Sequence, residues 1–156
     1  MLSWESTDIP LIGPPPVLIA SHDFNDNNWN GGTGWFSGWT HQGSTMTTSQ
    51  SPYEGTRHLQ MRGSSAYIER SVDLTGKTDV WLHFFAKVRS FEGGDTMNCL
   101  VSSNYADWTV VKTWDSGDSD NTYFPVDIDL SSFEMSSEFW IAFDSCLLYT
   151  SDAADE

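Results

Sequence analysis

Oxygen-bearing side chains gather at two points of the chain in a pattern typical of a calcium site. Asp23, Asn25 and Asp26 follow the first predicted strand, and Glu92 and Asp95 lie in a glycine-bearing loop. Ca²⁺ takes about 6–8 oxygen ligands from carboxylates and carbonyls, which loops of this kind can supply. The sequence therefore predicts a weak structural calcium site formed by these five residues. The alternative interpretation is that each of them is a solvated turn residue.

Tryptophans are the second group of candidate functional residues. They could bind a sugar, because an indole ring presents a large rigid face on which a sugar can stack. The chain has 8 of them. Some lie in or beside a loop rich in Asn and Gly, and others occupy strand positions opposite the predicted core residues, as Trp140 does. The candidate ligand-binding residues are Trp29, Trp35, Trp39, Trp81, Trp108 and Trp114. The alternative is that a second sheet edge or a loop covers these rings.

No set of residues has the spacing of a catalytic site. The histidines show no metal-ligand pattern such as HExxH, and no serine lies in a G-x-S-x-G motif. A glycosidase needs two carboxylates at a set separation across a cleft, and a sequence cannot place them so. Cys99 and Cys146 form neither a disulfide framework nor a metal-ligand pattern, and Cys99 is predicted to be buried. The chain is therefore predicted not to be an enzyme.

Charge and hydropathy exclude several classes of partner. The formal charge is −15, from 22 acidic and 7 basic residues. That balance argues against nucleic acid, whose phosphates need a basic surface, and against an anionic membrane surface. No apolar run approaches the ~20 residues needed to span a bilayer, and the first residues show no signal peptide. Acidity of this kind is typical of proteins in a salty or extracellular setting.

Hydrophobic periodicity defines the elements that must position these residues. The stretch His58–Val88 predicts three strands in a row, because apolar and polar residues alternate between breaks at residues 63–65 and 75–79. Similar alternation elsewhere predicts about nine short strands and no helix of ordinary length. Such strands need two packed sheets to bury their apolar faces. The predicted fold is therefore an all-β antiparallel β-sandwich of the jelly-roll type.

The predicted domain covers residues 17–145. Residues 1–16 are rich in proline, which predicts an extended linker or a disordered N-terminus. Residues 146–156 resemble translated sequencing-adapter read-through at the end of a metagenomic gene fragment, which predicts a non-native tail. A genuine acidic C-terminus is the alternative. If the tail is non-native, the final strand of the sandwich is missing.

The order of five motifs resembles the MAM-like jelly-roll domains of secreted and cell-surface proteins. An Asp-Phe pair and a Trp/Gly-rich loop come first, and a Pro-x-x-Gly-x-x-x-Leu segment follows. An aromatic-x-x-Arg-x-Val-Asp-Leu-x-Gly strand and a Phe-x-x-Gly-Asp loop complete the series. The motifs lie at residues 23–24, 29–39, 52–59, 67–76 and 91–95. The chain departs from the family in lacking the disulfides of vertebrate members and in having Asn25 where an acidic residue is usual.

The resemblance implies an accessory domain that mediates adhesion or lies beside the catalytic domains of secreted hydrolases. Related carbohydrate-binding jelly rolls often hold a structural cation near the first strand, which favours the cluster at Asp23. We therefore predict a non-catalytic extracellular binding or adhesion module for a glycan or a cell-surface protein, linked covalently to neighbouring domains. A purely structural spacer stabilised by a cation is the alternative.

Overall fold

The computed structural model describes residues 16–146 and the backbone of residues 2–6. The described residues form two antiparallel sheets, which confirms the predicted all-β sandwich. A short 3-10 turn interrupts the strands, and no helix in this part of the chain is long and apolar enough to cross a membrane. The strands are β1 (Leu2–Ser6), β2 (Val17–His22), β3 (Thr40–Thr48), β4 (His58–Val72), β5 (Val80–Ala86), β6 (Thr96–Ser102), β7 (Thr109–Asp115), β8 (Phe124–Asp129) and β9 (Phe139–Cys146).

The order of strands in the sheets differs from their order in the sequence. One sheet has four strands in the order β2-β1-β5-β8, and the other has five in the order β3-β4-β9-β6-β7. The pairings are nested, because β6 pairs with β7, β5 with β8 and β4 with β9. The chain therefore crosses repeatedly from one sheet to the other, and residues distant in sequence pack together between the sheets.

The core lies between the two sheets and contains the inward-facing residues of both. Ile68 and Phe139 of the five-stranded sheet and Val80 and Leu82 of the four-stranded sheet are fully buried. Burial alternates along β5, as the sequence predicts for this strand. Burying a side chain of this size stabilises the fold by about 1.5–3 kcal/mol relative to leaving it exposed, so this interior fixes which faces point outward.

β4 is a single strand of 15 residues, where the sequence predicted two strands separated at residues 63–65. The register of β3 and β4 shifts between Gln42 and Ser44, and Gly63 on β4 has a φ of +72°. A bulge at this point lets the strand bend and continue despite the break in its hydrophobic pattern. β4 pairs with β3 on one side and with β9 on the other, so it lies inside the five-stranded sheet.

The prediction for the N-terminus is wrong for residues 2–6, which form β1 between β2 and β5. Pairing on both sides satisfies the backbone groups of β1 and of its neighbours, which a disordered terminus would leave open. At the other end, Cys146 closes β9 and pairs with Thr96, so the first residue of the predicted tail belongs to a strand. Residues 1, 7–15 and 147–156 lie outside the described residues. The domain limits and the missing final strand stay predictions.

Candidate ligand-binding site

The side chains predicted to bind calcium after β2 form hydrogen bonds within the protein instead. Asp23 accepts hydrogen bonds from the backbone N–H and the side-chain amide of Asn25, at 3.0 and 3.1 Å. The first of these bonds lowers the pKa of Asp23. The side-chain oxygen of Asn25 accepts from the backbone N–H groups of Thr56 and Arg57, at 2.7 and 3.1 Å. These bonds tie the segment after β2 to the turn before β4.

The other predicted calcium ligands are bonded in the same way. One oxygen of Asp26 accepts from the backbone N–H of Asn28 at 3.0 Å and lies 3.3 Å from Nε2 of His22. Asp95 is buried and accepts from the backbone N–H of Glu92 at 2.9 Å. Over residues 16–146, the His, Cys, Asp and Glu side chains form no group of three or more that could hold a metal ion. The oxygens are engaged by internal donors and do not form the oxygen shell of calcium, so the calcium binding predicted from the sequence is untested and would require these bonds to open.

A buried arginine holds the Trp-rich loop, residues 29–39, against the sandwich. Arg70 on β4 is 3% exposed, and its guanidinium carbon lies 4.7 Å from the ring centroid of Trp35 and 5.7 Å from that of Trp39. Its Nε donates to the carbonyl of Ser37 at 2.5 Å. Burial lowers the pKa of Arg70 to about 10. Because a cation is attracted to an indole face, these two rings have a partner within the protein.

His22 completes the buried network around Arg70. The side chain is 1% exposed, and its Nδ1 accepts a hydrogen bond from Nε1 of Trp39 at 3.0 Å. Nη1 of Arg70 lies 3.3 Å from the same nitrogen. Two donors directed at Nδ1 assign the ring proton to Nε2, on the side of Asp26. Burial lowers the pKa of His22, because removal from water disfavours the charged imidazolium. A second proton on the ring would also have to be placed at Nδ1, against both donors.

Two of the tryptophans predicted to bind a ligand are core residues, and the prediction is wrong for them. Trp39 is 5% exposed and Trp114 is 3% exposed. If side chains alternated strictly along β7, Trp114 would lie on the outer face of the sheet. The register of β6 and β7 shifts between Cys99 and Leu100, and this bulge reverses the alternation. Trp114 consequently lies opposite Met97 and faces the interior.

The remaining predicted tryptophans are half-buried, with Trp29 and Trp35 in the Trp-rich loop and Trp81 and Trp108 elsewhere. Trp29 stacks on His41 with ring centroids 4.0 Å apart, and Nε1 of Trp35 donates to the carbonyl of Ser21 at 3.0 Å. Trp81 lies on the outer face of the four-stranded sheet. The structure therefore does not bring the six predicted tryptophans together.

Three aromatic rings form an open cleft over the outer face of the five-stranded sheet. Tyr105, in the loop between β6 and β7, is 51% exposed, and its ring centroid lies 5.7 Å from that of Trp108 and 4.6 Å from that of Trp140 on β9. A space of about 340 Å³ adjoins Tyr105 and Trp140, within the range of small-ligand sites. We call these three residues, together with Tyr67 and Glu69 on β4, the aromatic cleft.

A buried carboxylate joins the two tyrosines of the aromatic cleft. Glu69 is 5% exposed and accepts hydrogen bonds from the hydroxyl groups of Tyr67 at 2.5 Å and Tyr105 at 2.7 Å. Burial, followed by the bond to Glu69, raises the pKa of Tyr67, and the bond to Glu69 raises the pKa of Tyr105. The carboxylate thus fixes the orientation of an exposed loop tyrosine relative to the sheet.

Polar side chains continue from the aromatic cleft across the same face of the sheet. The partner of Tyr67 on β9 is Asp144, which accepts a hydrogen bond from the amide of Asn98 at 2.9 Å. The amide oxygen of Asn98 accepts from the hydroxyl of Thr113 at 2.8 Å. Ring faces beside carboxylate and amide groups can bind a sugar by stacking and by hydrogen bonds to its hydroxyl groups.

Sequence reasoning found part of this group of residues. It predicted Trp108 as a ligand-binding residue and placed Trp140 on an outward position, but it missed Tyr67, Glu69 and Tyr105. Alternation along β4 is the signal that could have placed Tyr67 and Glu69 outward. Tyr105 lies in a loop, where hydrophobic periodicity carries no information.

Comparison with known proteins supports the fold. No protein-family model and no curated protein matches the chain. A match among solved structures is one described as the structural basis for the promiscuous specificity of the carbohydrate-binding modules from the β-sandwich superfamily, with a TM-score of 0.54 and 9% sequence identity. The chain shares the fold of a carbohydrate-binding module. The match covers 82% of this chain and 55% of the other, so the chain spans about half the length of the structure it resembles.

Proposed function

We propose that this chain is a non-catalytic glycan-binding module and that the aromatic cleft is its binding site. The observation that carries the proposal is the exposure of Tyr105 beside Trp140, with a buried carboxylate holding the tyrosine in place. An exposed ring held in one orientation loses little conformational entropy when a ligand stacks on it. The shared fold with a carbohydrate-binding module supports the same assignment.

The chemistry of the aromatic cleft favours neutral sugars. A pyranose stacks its C–H face on Tyr105 or Trp140, and its hydroxyl groups donate to the half-buried carboxylate of Asp144, while Glu69 holds Tyr105 in place. The adjoining space also contains Glu138. These groups add to the net charge of −15, so uronic-acid or sulfated glycans are repelled.

The wider setting is part of the same proposal. We place the module in an extracellular or cell-surface protein, where it binds the glycan for neighbouring domains that are linked to it. Its resemblance in fold to a longer chain supports a multidomain arrangement. A structural spacer is the second candidate, and the burial of Trp39 and Trp114 favours it, because these rings stabilise the sandwich itself.

A panel of immobilised neutral, amino and acidic glycans tests the proposal. We expect binding to neutral glycans, quenching or shift of Trp fluorescence, and loss of about 0.5–1.5 kcal/mol of binding free energy, up to roughly tenfold in Kd, for Trp140→Ala. Trp81→Ala, on the other sheet, is the matched control and keeps wild-type affinity. Absence of binding across the panel, or equal losses in both variants, contradicts the proposal and favours the structural spacer.

A further inference from the structure

The outer face of the four-stranded sheet carries aromatic rings where a solvent-facing surface usually carries polar groups. β5 is an inner strand of this sheet, and its outward positions are Trp81, His83 and Phe85. Tyr53 covers Phe85, because the two rings stack with centroids 3.8 Å apart. Trp81 is half-buried, and within residues 16–146 no ring stacks on it and no hydrogen bond engages its indole. The indole therefore offers part of its face to a ligand.

Two carboxylates of the edge strand β8 lie beside these rings. Asp129 is opposite Trp81 in the register of β5 and β8, and Asp127 is opposite His83. Asp127 is 58% exposed and bonds to Nδ1 of His83. Oδ1 of Asp129 accepts from the hydroxyl and the backbone N–H of Ser131, and these bonds lower the pKa of Asp129. Cross-strand neighbours have Cβ atoms about 4.5–5.5 Å apart, so an oriented, ionised carboxylate lies next to the open indole.

The charges of Asp127 and Asp129 have no basic partner in the part of the chain that the structure describes. β5 and β8 contain no lysine or arginine, and none from residues 16–146 lies within ion-pair distance of either carboxylate. Ionised carboxylates only accept hydrogen bonds, so a ligand with many donors and no acceptor fits them better than a sugar, whose hydroxyl groups do both. The net charge of −15 also attracts a basic partner.

We propose that this face binds an extended basic segment of another protein, with one arginine on Trp81 and Asp129 and a second on Asp127. A guanidinium is planar and carries five donors, so it stacks on an aromatic face while it pairs with a carboxylate. Asp127 and Asp129 lie two positions apart on one strand, about 6.8 Å, and arginines two positions apart in an extended segment have the same spacing. This chain has no such pair of arginines, so a second copy cannot supply the segment.

Calorimetric titration of the full chain with the blocked peptide Ser-Arg-Ser-Arg-Ser tests the proposal. We expect binding that weakens as salt is added, and an affinity about fivefold lower for Trp81→Ala and for Asp129→Asn. The asparagine keeps an acceptor for Ser131, so the change removes the charge alone. Asp107→Asn is the matched control, because it makes the same change of charge in the loop between β6 and β7 of the other sheet and leaves the affinity unchanged. A peptide with lysine in place of arginine should bind more weakly, because an ammonium lacks the planar fork.

The other outcomes overturn the proposal. Equal losses for Asp129→Asn and Asp107→Asn, with none for Trp81→Ala, would mean that net charge alone attracts the peptide. Absence of binding at low salt would exclude the segment altogether. Titration with a neutral glycan separates this face from the aromatic cleft, because Trp140→Ala should weaken glycan binding and keep peptide binding, whereas Trp81→Ala should do the reverse. Loss of glycan binding in Trp81→Ala would mean that a sugar occupies this face. Asp129→Asn and the lysine peptide leave the packing of the sheet unchanged, so the test does not depend on how well Trp81→Ala folds.

Discussion

The Trp-rich loop and the aromatic cleft have similar compositions, but their rings have different partners. In the Trp-rich loop, Arg70 covers Trp35 and Trp39 from within the protein, and Trp29 stacks on His41. In the aromatic cleft, the side chain of Tyr105 is 51% exposed although its ring lies beside those of Trp108 and Trp140, and its hydroxyl group donates to Glu69. An aromatic cluster whose polar ends are fixed and whose rings stay partly exposed is therefore better suited to bind a ligand than one that a cation of the protein covers.

Two consecutive residues of β4 account for much of this difference. Arg70 points inward to the Trp-rich loop and is 3% exposed, whereas Glu69 points outward to the aromatic cleft and is 5% exposed. Successive side chains of a strand point to opposite faces, so one strand supplies a buried cation to one region and a buried anion to the other. Substituting each residue in turn therefore separates stability from binding.

The largest expected effect is on stability, from Arg70→Ala. This change removes the donor to the Ser37 carbonyl and the cation between two indole rings, and it leaves a cavity. We expect the free energy of unfolding to fall by about 3 kcal/mol, measured by denaturant titration. Arg62→Ala, at an exposed position of the same strand, is the control and changes stability by no more than about 0.5 kcal/mol. Equal effects of the two substitutions would show that the buried network does not stabilise the loop.

The next effect is on binding, from Glu69→Gln. The amide retains the shape of the side chain but not its charge, so the hydroxyl of Tyr105 loses a charged acceptor worth about 1.5–3 kcal/mol. We expect glycan affinity to fall by about tenfold, which corresponds to 1.4 kcal/mol. The pKa of Tyr105 should return toward its ordinary value, because the bond to Glu69 is the main cause of its rise. Ultraviolet titration of the tyrosines checks this, and an unchanged titration curve together with wild-type affinity would remove Glu69 from the site.

The sequence predicted the strands and the core well, and the partners of the aromatic rings poorly. Alternation identified Val80 and Leu82 as core residues because the period of a strand is a local property. It failed at Trp114, where a bulge between two strands reversed the pattern. The role of Arg70 depends on loop residues more than thirty positions away, and that of Tyr105 on a loop conformation. Such contacts follow from tertiary packing, so no window of sequence contains them.

A third prediction concerns the pH dependence of stability, and it involves the buried network of His22 and Arg70 that holds the Trp-rich loop. Burial lowers the pKa of His22 below the value near 6.5 that it has in the unfolded chain. The unfolded chain therefore takes up the proton first as pH falls. Stability is full above pH 6.5 and declines as pH falls through the window between the two pKa values. Asp26 opposes this shift and the charge of Arg70 adds to it.

Denaturant titrations between pH 7 and pH 5 measure this decline, and His22→Gln should reduce it. His58 provides the matched control, because burial also lowers its pKa but it lies away from the Trp-rich loop, bonded to Tyr123. His58→Gln should leave unchanged the part of the decline in stability that protonation of His22 causes. A pH profile unchanged by His22→Gln would mean that the network does not keep this histidine neutral.

The smallest expected effect is that of calcium on the melting temperature. It tests whether internal hydrogen bonds hold the segment after β2, as internal contacts hold the Trp-rich loop. Asp23 accepts two hydrogen bonds from Asn25, and the side-chain oxygen of Asn25 accepts from Thr56 and Arg57. A calcium ion would have to displace these donors before it gained 6–8 oxygen ligands. We therefore expect millimolar calcium to leave the melting temperature unchanged, whereas Asn25→Ala lowers stability by about 1 kcal/mol with or without calcium. Calorimetry decides the matter: a rise in melting temperature that Asp23→Ala abolishes would show that the loop opens to bind the ion, because a ligand that binds only the folded state stabilises it by mass action.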